Sequence, residues 1–284
     1  MTLRPLDNYI KVQLTEHLQK IETALDSDGI SIISPIVYGI DLRVRDALEL
    51  ITNKKKSLVI IHDTPGGIVE VVERIVDCIR YFYKEIIFII PDRAMSAGTI
   101  FALSGDRILM DYFSCLGPID PQIEKDGKLV PALAYLNQFE RLNKKSTEGK
   151  LTTAEYALLS KLDLGELYQF DQARELSCEL LKEWLTKYKF KNWVNTRTRK
   201  LPVTDEMKKK RAEEIAILLN NTERWHSHGR GIDKHTLTNE INLEIEDYSS
   251  IAGLDKIVRE YFELLKDYMT RGNMLSFIHS KEYF

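Results

Sequence analysis

Cysteine is scarce in this chain, and its distribution excludes the class of small secreted domains held together by disulfides. Among 284 residues only Cys78, Cys115 and Cys178 occur. They are odd in number, far apart and without a CxxC pair, so neither a disulfide framework nor a zinc site is indicated. We therefore expect three reduced thiols in a reducing compartment.

The chain also lacks an excess of charge of either sign and a long apolar run. Its 40 Lys and Arg residues against 43 Asp and Glu residues give a net charge of -3, which offers no general attraction to nucleic acid or to an anionic membrane surface. No run approaches the roughly 18 apolar residues of a membrane span. The opening segment, residues 1–20, is amphipathic and of mixed charge, unlike a signal peptide. The sequence thus predicts a cytoplasmic protein with no nucleic-acid partner and no membrane span.

The first 115 residues contain a regular alternation of apolar runs and amphipathic segments. Strands are predicted at 29–37, 57–62, 85–90 and 107–111, and helices at 5–27, 41–51, 68–84 and 97–105. Asp41 is predicted as the N-cap of its helix. Alternating strands and helices are typical of βαβ units around a largely parallel sheet, and the functional loops of such folds follow the carboxyl ends of the strands.

The remainder of the chain has a different character, because long, charged segments of helical period replace the apolar runs. These segments lie at 137–163, 164–189, 204–221 and 247–269, after a predicted hairpin at 124–130. We therefore divide the chain into an α/β core, residues 1–135, which carries the site, and a mainly helical extension, residues 136–284, packed on that core.

A single serine stands where a predicted strand gives way to a predicted helix. Ser96 lies in PDRAMSAGTIFALSGDR, residues 91–107. A hydroxyl at this point lies among unpaired backbone N–H groups, which favours an alkoxide and a developing oxyanion. The small residues Ala97 and Gly98 let a substrate backbone come close. The alternative is that Ser96 only caps the helix.

Two glycines end the preceding predicted strand, in the stretch TPGG at residues 64–67. Acyl transfer needs two N–H donors aimed at the carbonyl oxygen as it becomes anionic, and glycines let a backbone turn its amides outward. Alone, this stretch is equally typical of a turn that joins a strand to a helix. Together with Ser96, on the next βα unit, it predicts an acyl-transfer site.

Three stretches carry a resemblance to a known family: HDTPGGIVEVVERIVDCIR, PDRAMSAGTIFALSGDRILMD and CLGPIDPQI. They resemble the serine dehydrogenase proteinase family of the Clp protease/crotonase superfamily, relatives of signal peptide peptidase A, and WHSHGRGI with the helical second half looks similar too. The resemblance implies a spiral of ββα units that tends to form a homo-oligomer. It makes Ser96 the nucleophile and Ala97 one oxyanion N–H donor, with Gly66 or its neighbour Gly67 as the other.

The sequence offers several candidates for the group that takes the serine proton. Clp peptidases have a histidine downstream of the nucleophile, but GPIDPQI contains none. Signal peptide peptidases use a lysine, which becomes a base when burial lowers its pKa. Among Lys128, Lys144, Lys145 and Lys150 we choose Lys145, because a lysine ahead of a TxxE helix start resembles the placement in signal peptide peptidases. For each of them the alternative is a solvated surface lysine.

For several other polar residues the sequence leaves more than one interpretation open. Asp120, in GPIDPQI, orients a base, lines the site or begins an Asp-Pro turn. In WHSHGRGI, His226 and His228 invite a metal reading, but no further ligand with convincing spacing lies nearby, so no metal is predicted. We expect a turn there whose polar side chains cap helices, with a role for His228 or Arg230 in the Ser96 cleft as the alternative. His62 is expected to be a hydrogen-bonded histidine at a strand end.

These observations predict a serine peptidase that acts on peptide or protein substrates and needs no cofactor. Ser96 attacks the peptide carbonyl, Gly66 and Ala97 hold the oxyanion, and a lysine takes the proton. Two alternatives stay open. One is a catalytically silent member of the fold that binds a peptide or partner protein, with Ser96 kept as a helix cap. The other is an acyl-CoA enzyme of the crotonase type, which would share the oxyanion hole without needing the serine.

Overall fold

The computed structural model describes the backbone of residues 4–125, 128–196 and 198–284, and the side chains of these residues except 123–125 and 128–129. Its helices are α1 (Pro5–Leu25), α2 (Ile40–Leu50), α3 (Val69–Phe82), α4 (Ala97–Leu103), α5 (Ala132–Thr147), α6 (Thr153–Leu159), α7 (Leu164–Trp184), α8 (Asp205–Leu219), α9 (Thr222–Trp225), α10 (Lys234–Asn239) and α11 (Leu254–Arg271). Its strands are β1 (Asp28–Ile33), β2 (Ser57–Asp63), β3 (Glu85–Ile90), β4 (Arg93–Ala94), β5 (Arg107–Met110), β6 (Cys115–Leu116), β7 (Gln122–Lys125), β8 (Lys128–Pro131), β9 (Ile232–Asp233), β10 (Glu246–Asp247) and β11 (Phe277–His279). A π-helical turn, Leu185–Lys189, continues α7.

The central sheet has six strands in the order β10-β5-β3-β2-β1-β11. All neighbouring pairs are parallel except β1 with β11, which is antiparallel. Every residue of β2 is buried, as expected for a parallel strand covered on both faces by helices. The predicted βαβ architecture with a largely parallel sheet is confirmed.

Successive residues of the central strands enter two separate cores, since side chains alternate between the faces of a sheet. Leu58 and Ile60 pack in a core with residues of α2, α3, α4, α7 and α8. Val59 and Ile61 pack in a second core with residues of α1 and α11. The helix that follows Ser96 therefore lies on the first face of the sheet.

A small second sheet brings three remote segments of the chain together beside α4. β4 pairs in parallel with β6 through Ala94 and Leu116, and β6 pairs antiparallel with β9 through Leu116 and Ile232. The residues just before β9 therefore run alongside the residues just after β6. This arrangement decides which side chains surround Ser96.

Two expectations for the first βα unit differ from the structure. The strand predicted at 29–37 ends at Ile33: Ser34 N–H still donates to Asp63 O, but Pro35 has no N–H to donate, and the next hydrogen bond runs from Ile36 N–H to Gly66 O. Asp41 is not the N-cap of α2: Gly39 is, at φ +95, and its N–H donates to Asp41 Oδ1 over 3.0 Å.

The C-terminal part of the chain contributes both edge strands of the central sheet, β10 and β11. The division into residues 1–135 and 136–284 stays a prediction. Among the described residues, no helix combines the length and the apolarity needed to cross a bilayer.

Candidate active site

Ser96 lies between β4 and α4 in a conformation that is unusual for a residue with a side chain. Its φ is 53° and its ψ is -120°, and the N–H of Gly98 donates to Met95 O over 2.8 Å. These values are those of the first central residue of a type II′ turn, which normally requires glycine. Such strain costs about 1–3 kcal/mol and concentrates at functional sites.

The hydroxyl of Ser96 has no hydrogen-bond partner among the described residues. It makes no capping hydrogen bond to α4, and the side chain is partly exposed. The helix-cap role considered for this serine is therefore not the one that the structure shows. A strained serine whose hydroxyl stabilises nothing local is available for chemistry.

Thr99 stabilises the turn that contains Ser96. Its buried Oγ1 lies 2.7 Å from Ala94 O and 2.9 Å from Gly117 O, and it accepts the N–H of Gly117 over 2.9 Å. The start of α4 is thereby tied both to β4 and to the segment that follows β6. This residue was not singled out from the sequence, where it reads as an ordinary helical threonine.

The two glycines of TPGG lie directly against the turn of Ser96. Gly66 has φ +108, and a Cβ added there would lie 2.9 Å from Ser96 Cβ and 2.8 Å from Met95 O. Gly67 has φ +150, and a Cβ there would lie 2.0 Å from Ile36 O. Both positions require glycine, and the structure brings the predicted glycines and the predicted serine together.

The backbone N–H groups of this region differ in whether they have a hydrogen-bond acceptor. Gly66 N–H donates to Thr64 Oγ1 over 3.1 Å. Within the described part of the chain, the N–H groups of Gly67 and Ala97 donate to no acceptor. Two unused amides thus flank Ser96, one before and one after it along the chain.

Asp120, in the segment after β6, and His228, in the segment before β9, form a hydrogen-bonded pair. His228 Nδ1 lies 3.0 Å from Asp120 Oδ1, and Gln122 Nε2 donates to Asp120 Oδ2 over 3.0 Å. The Asp120 side chain is 3% exposed and that of His228 is 22% exposed. His228 caps no helix, so the expectation of a capping turn does not hold for this residue. Among the described residues, no group of side chains could hold a metal ion.

None of the lysines considered as the base whose side chain is described forms a hydrogen bond with Ser96. Lys145, in the last turn of α5, places its Nζ 2.5 Å from Glu155 Oε1, and this hydrogen bond lowers the pKa of Glu155 to about 2. Lys144 is exposed, and Lys150 pairs with Glu148. The side chain of Lys128 lies outside the described residues. Ser96 forms no hydrogen bond with any described lysine, and Lys145 as the base stays a prediction.

His62 lies beneath α4 and is fully buried. Its Nδ1 is 3.0 Å from Ile32 O, while Nε2 has no partner among the described residues. Burial lowers its pKa to about 4, so the ring is neutral near pH 7. A Cβ on Gly98 would lie 3.5 Å from Nε2, so the histidine supports the first turn of α4 and is shielded from substrate.

A cavity of about 280 Å³ opens at the carboxyl ends of β1 and β2, and Pro65, just before the two glycines, lines it. The buried carboxylate of Asp63 forms an ion pair there with Lys266 over 2.9 Å. Sequence analysis missed both residues, since Asp63 follows a strand without any further signal and Lys266 comes from the last helix.

A parallel α/β sheet with a strained serine at a strand–helix junction, flanked by a glycine turn, defines a ClpP-like fold. Residues 24–210 match the family model of the ClpP-like SDH-type serine proteinases. The chain belongs to this family, which confirms the resemblance found in the sequence.

Two curated relatives come from Methanocaldococcus jannaschii. Uncharacterized protein MJ0137 is 41% identical over 70 residues, 25% of this chain and 24% of its own length. Uncharacterized protein MJ1495 is 30% identical over 149 residues, 52% of this chain and 48% of its own length. The chain therefore spans about a quarter of the length of MJ0137 and about half of the length of MJ1495.

Solved structures of the 1510-N membrane-bound stomatin-specific protease are also similar. One, in complex with a substrate peptide, has a TM-score of 0.43 and 15% identity, covering 77% of this chain and 72% of that chain. Another has a TM-score of 0.32 and 20% identity, covering 49% of this chain and 73% of that chain.

Proposed function

We propose that the protein is a serine peptidase in which Ser96 is the nucleophile. One observation carries the proposal: a partly exposed serine is held in a strained turn against a glycine pair, and its hydroxyl makes no capping hydrogen bond to α4. A helix cap would use the hydroxyl, and a simple strand-to-helix turn would not need a serine at positive φ. As in other proteinases, the substrates are peptides or proteins.

The oxyanion is assigned to the N–H groups of Gly67 and Ala97. Attack by Ser96 Oγ on the peptide carbonyl carbon forms a C–O bond and leaves negative charge on the carbonyl oxygen. Gly67 is preferred to Gly66, because the N–H of Gly66 already donates to Thr64 Oγ1. Loss of one such donor typically costs about 10²–10³ in rate.

The base predicted from the sequence, Lys145, would have to leave Glu155 before it could serve Ser96, since its Nζ is held there over 2.5 Å. The homo-oligomer and the cytoplasmic location also belong to the proposal and rest on the family resemblance and the composition. Sedimentation of the purified chain measures the first directly.

Hydrolysis of fluorescein-labelled casein tests the proposed activity. We expect Ser96→Ala to lower the rate by at least about 10³-fold, because no other group can form the acyl-enzyme. Ser160→Ala is the matched control: Ser160 is exposed and its hydroxyl donates to Ala157 O over 3.0 Å, so its variant should keep the wild-type rate.

Full activity in Ser96→Ala would contradict the assignment of the nucleophile. An inactive wild-type protein that still binds unfolded casein would favour the silent, peptide-binding alternative instead.

A further inference from the structure

We propose that the cavity at the carboxyl ends of β1 and β2 is a substrate subsite that takes a carboxylate of the peptide, with Arg93 as the residue that determines this preference. The carboxylate is that of an acidic side chain or that of the C-terminus of the peptide. The inference rests on the proposed function, because the cavity gains its role from its position next to Ser96.

Two lining residues of the cavity belong to the segments that form the proposed active site. Arg93 lies three residues before Ser96, so that their Cα atoms are at most about 11 Å apart. Its carbonyl oxygen accepts the N–H of Thr64 over 3.0 Å. Pro65, which also lines the cavity, immediately precedes Gly66, where an added Cβ would lie 2.9 Å from Ser96 Cβ. A peptide with its carbonyl at the glycine turn therefore has a neighbouring residue within reach of the cavity.

The guanidinium of Arg93 is available to a ligand. The residue is exposed, and its side chain forms no ion pair or hydrogen bond within the described part of the chain. A guanidinium presents five N–H donors in a planar fork, which binds a carboxylate in a bidentate arrangement. An arginine with a structural role is paired, as Arg80 is with Asp106 over 2.9 Å.

Lys266 brings a second cation to the wall of the cavity. Its Nζ lies 2.9 Å from Asp63 Oδ2, and 45% of its side chain is exposed. An ammonium has three N–H donors. Two of them therefore stay available beyond the one that Asp63 accepts.

The acidic groups near the cavity turn no free oxygen towards a ligand. Asp63 is the acidic residue among those that line it; Oδ2 accepts from Lys266, and Oδ1 is enclosed by the protein. Asp92, next to Arg93 in the chain, does not line the cavity. The polar surface that a ligand meets is therefore cationic, and it is complementary to a carboxylate.

Apolar side chains form much of the remaining wall, among them Met269, Met274 and Leu275. Leu275 is 84% exposed, and methionine side chains adapt to the shape of what they contact. The volume of about 280 Å³ is slightly below that of typical small-molecule sites, about 300–1,000 Å³. It suits one or two residues of a peptide, with methylene groups against the apolar wall and the carboxylate at Arg93.

Cleavage of internally quenched peptides by the full chain tests the inference. A parent peptide with one cleavage site carries Glu, Gln or Lys in turn at each position on either side of the scissile bond. We expect one position at which kcat/KM with Glu exceeds that with Gln by at least about tenfold, because charge-assisted bidentate hydrogen bonds are stronger than neutral ones.

Two variants of Arg93 identify the residue responsible for the preference. Arg93→Gln should remove it, and Arg93→Glu should reverse it, so that Lys is cleaved faster than Gln at the same position. A loss of stability cannot reverse a preference. Arg45→Gln is the matched control, because Arg45 is 49% exposed, pairs with Asp46 and does not line the cavity. Its variant should keep the wild-type preference.

A second set of peptides distinguishes the two sources of the carboxylate. These peptides end at successive positions after the scissile bond, each as a free acid and as an amide. A preference for Glu inside a longer peptide assigns the cavity to an acidic side chain. A preference for the acid over the amide, lost in Arg93→Gln, assigns it to the C-terminus of the peptide, and either result supports the inference.

Binding to Ser96→Ala gives a readout that needs no hydrolysis. Fluorescence anisotropy with the labelled peptides should show at least about tenfold tighter binding of the preferred peptide than of its Gln or amide counterpart. Adding Arg93→Gln to Ser96→Ala should make the two affinities equal.

The outcomes distinguish this inference from the function on which it rests. Preferential binding through Arg93 by a wild-type protein that cleaves none of the peptides overturns the proposed function and leaves a carboxylate-binding site in a silent member of the fold. Cleavage without any carboxylate preference, or with a preference that Arg93→Gln leaves unchanged, overturns the inference alone. A wild-type preference for Lys over Gln and Glu at the position nearest the cavity does so as well.

Discussion

Replacement of Gly67 by alanine is expected to lower the free energy of unfolding by more than about 3 kcal/mol and to abolish peptidase activity. An added Cβ would lie 2.0 Å from Ile36 O and 2.7 Å from Ile36 C, both backbone atoms of a buried segment. The backbone must shift to relieve this overlap, and the shift moves the amide proposed for the oxyanion. Urea unfolding and casein hydrolysis measure the two effects.

Gly39→Ala is the matched control for this prediction. Gly39 also has a positive φ, +95, but a Cβ there would meet nothing within 4 Å. Its variant should lose only about 1–2 kcal/mol, the cost of the left-handed backbone, and keep its activity. Equal stability losses in the two variants would show that the contact with Ile36 is not what requires glycine at position 67.

Replacement of Asp106 by alanine is expected to lower the free energy of unfolding by about 3–5 kcal/mol, because it leaves the largely buried Arg80 guanidinium without its anion. Asp106 is 3% exposed in its side chain and pairs with Arg80 over 2.9 Å and with Lys191. It also accepts the N–H of Ile86 over 2.7 Å. Arg80 is itself 10% exposed and packs 3.5 Å from the ring centre of Tyr188.

The effect of Asp106 on stability should depend on pH. Burial alone would raise the pKa of Asp106, but the Lys191 hydrogen bond and the Arg80 charge outweigh it and lower the pKa. A lowered pKa in the folded state stabilises the protein above the pKa of the unfolded carboxyl, about 3.9, and this contribution is lost as pH falls further. The difference between wild type and Asp106→Ala should therefore be full at pH 7 and narrow below about pH 4.

Asp267→Ala is the control for the Asp106 variant. Asp267 pairs with Arg271 over 2.7 Å, but the two side chains are 55% and 71% exposed. Such a pair contributes about 0–1 kcal/mol. A loss in Asp106→Ala as small as that in Asp267→Ala, measured in the same urea titrations, would contradict the account of the buried cluster.

Much of the fold follows from local sequence. The runs SLVIIH and EIIFII are apolar, β-branched and bounded by turns, so they predict buried strands wherever they occur. The strands that local reasoning missed are short and pair with remote segments: β11 has three residues and pairs at Ser31 with His279. Nothing in the sequence near residue 279 indicates that partner.

The candidate site, like the fold, has one part that local sequence predicts and another part that it does not. Ser96 and the two glycines follow from strand ends, because parallel strands bring their carboxyl ends to one edge of a sheet. The hydrogen bond between Asp120 and His228 joins residues 108 positions apart. The strands β6 and β9, whose pairing brings these two segments together, have two residues each. Strands this short show no periodicity in the sequence.

The segment after β6 contains no histidine, but one lies beside it in the structure. The segment after β6 holds Asp120 where a Clp-type histidine was sought, and a hydrogen bond joins Asp120 to His228 from the segment before β9. The sequence favoured a lysine because GPIDPQI contains no histidine and signal peptide peptidases use a lysine. Strand pairing in the sheet, and not distance along the chain, decides which residues lie close together in space.

The central claim is that Ser96 is the nucleophile, and locating a fluorophosphonate adduct tests it most directly. Trypsin cuts after Arg93 and Arg107 and releases AMSAGTIFALSGDR, which contains Ser96, Thr99 and Ser104. Fragmentation of this peptide should place the adduct on Ser96 alone, with one probe per chain. An adduct on another residue, or none on any peptide of the folded protein, would contradict the account.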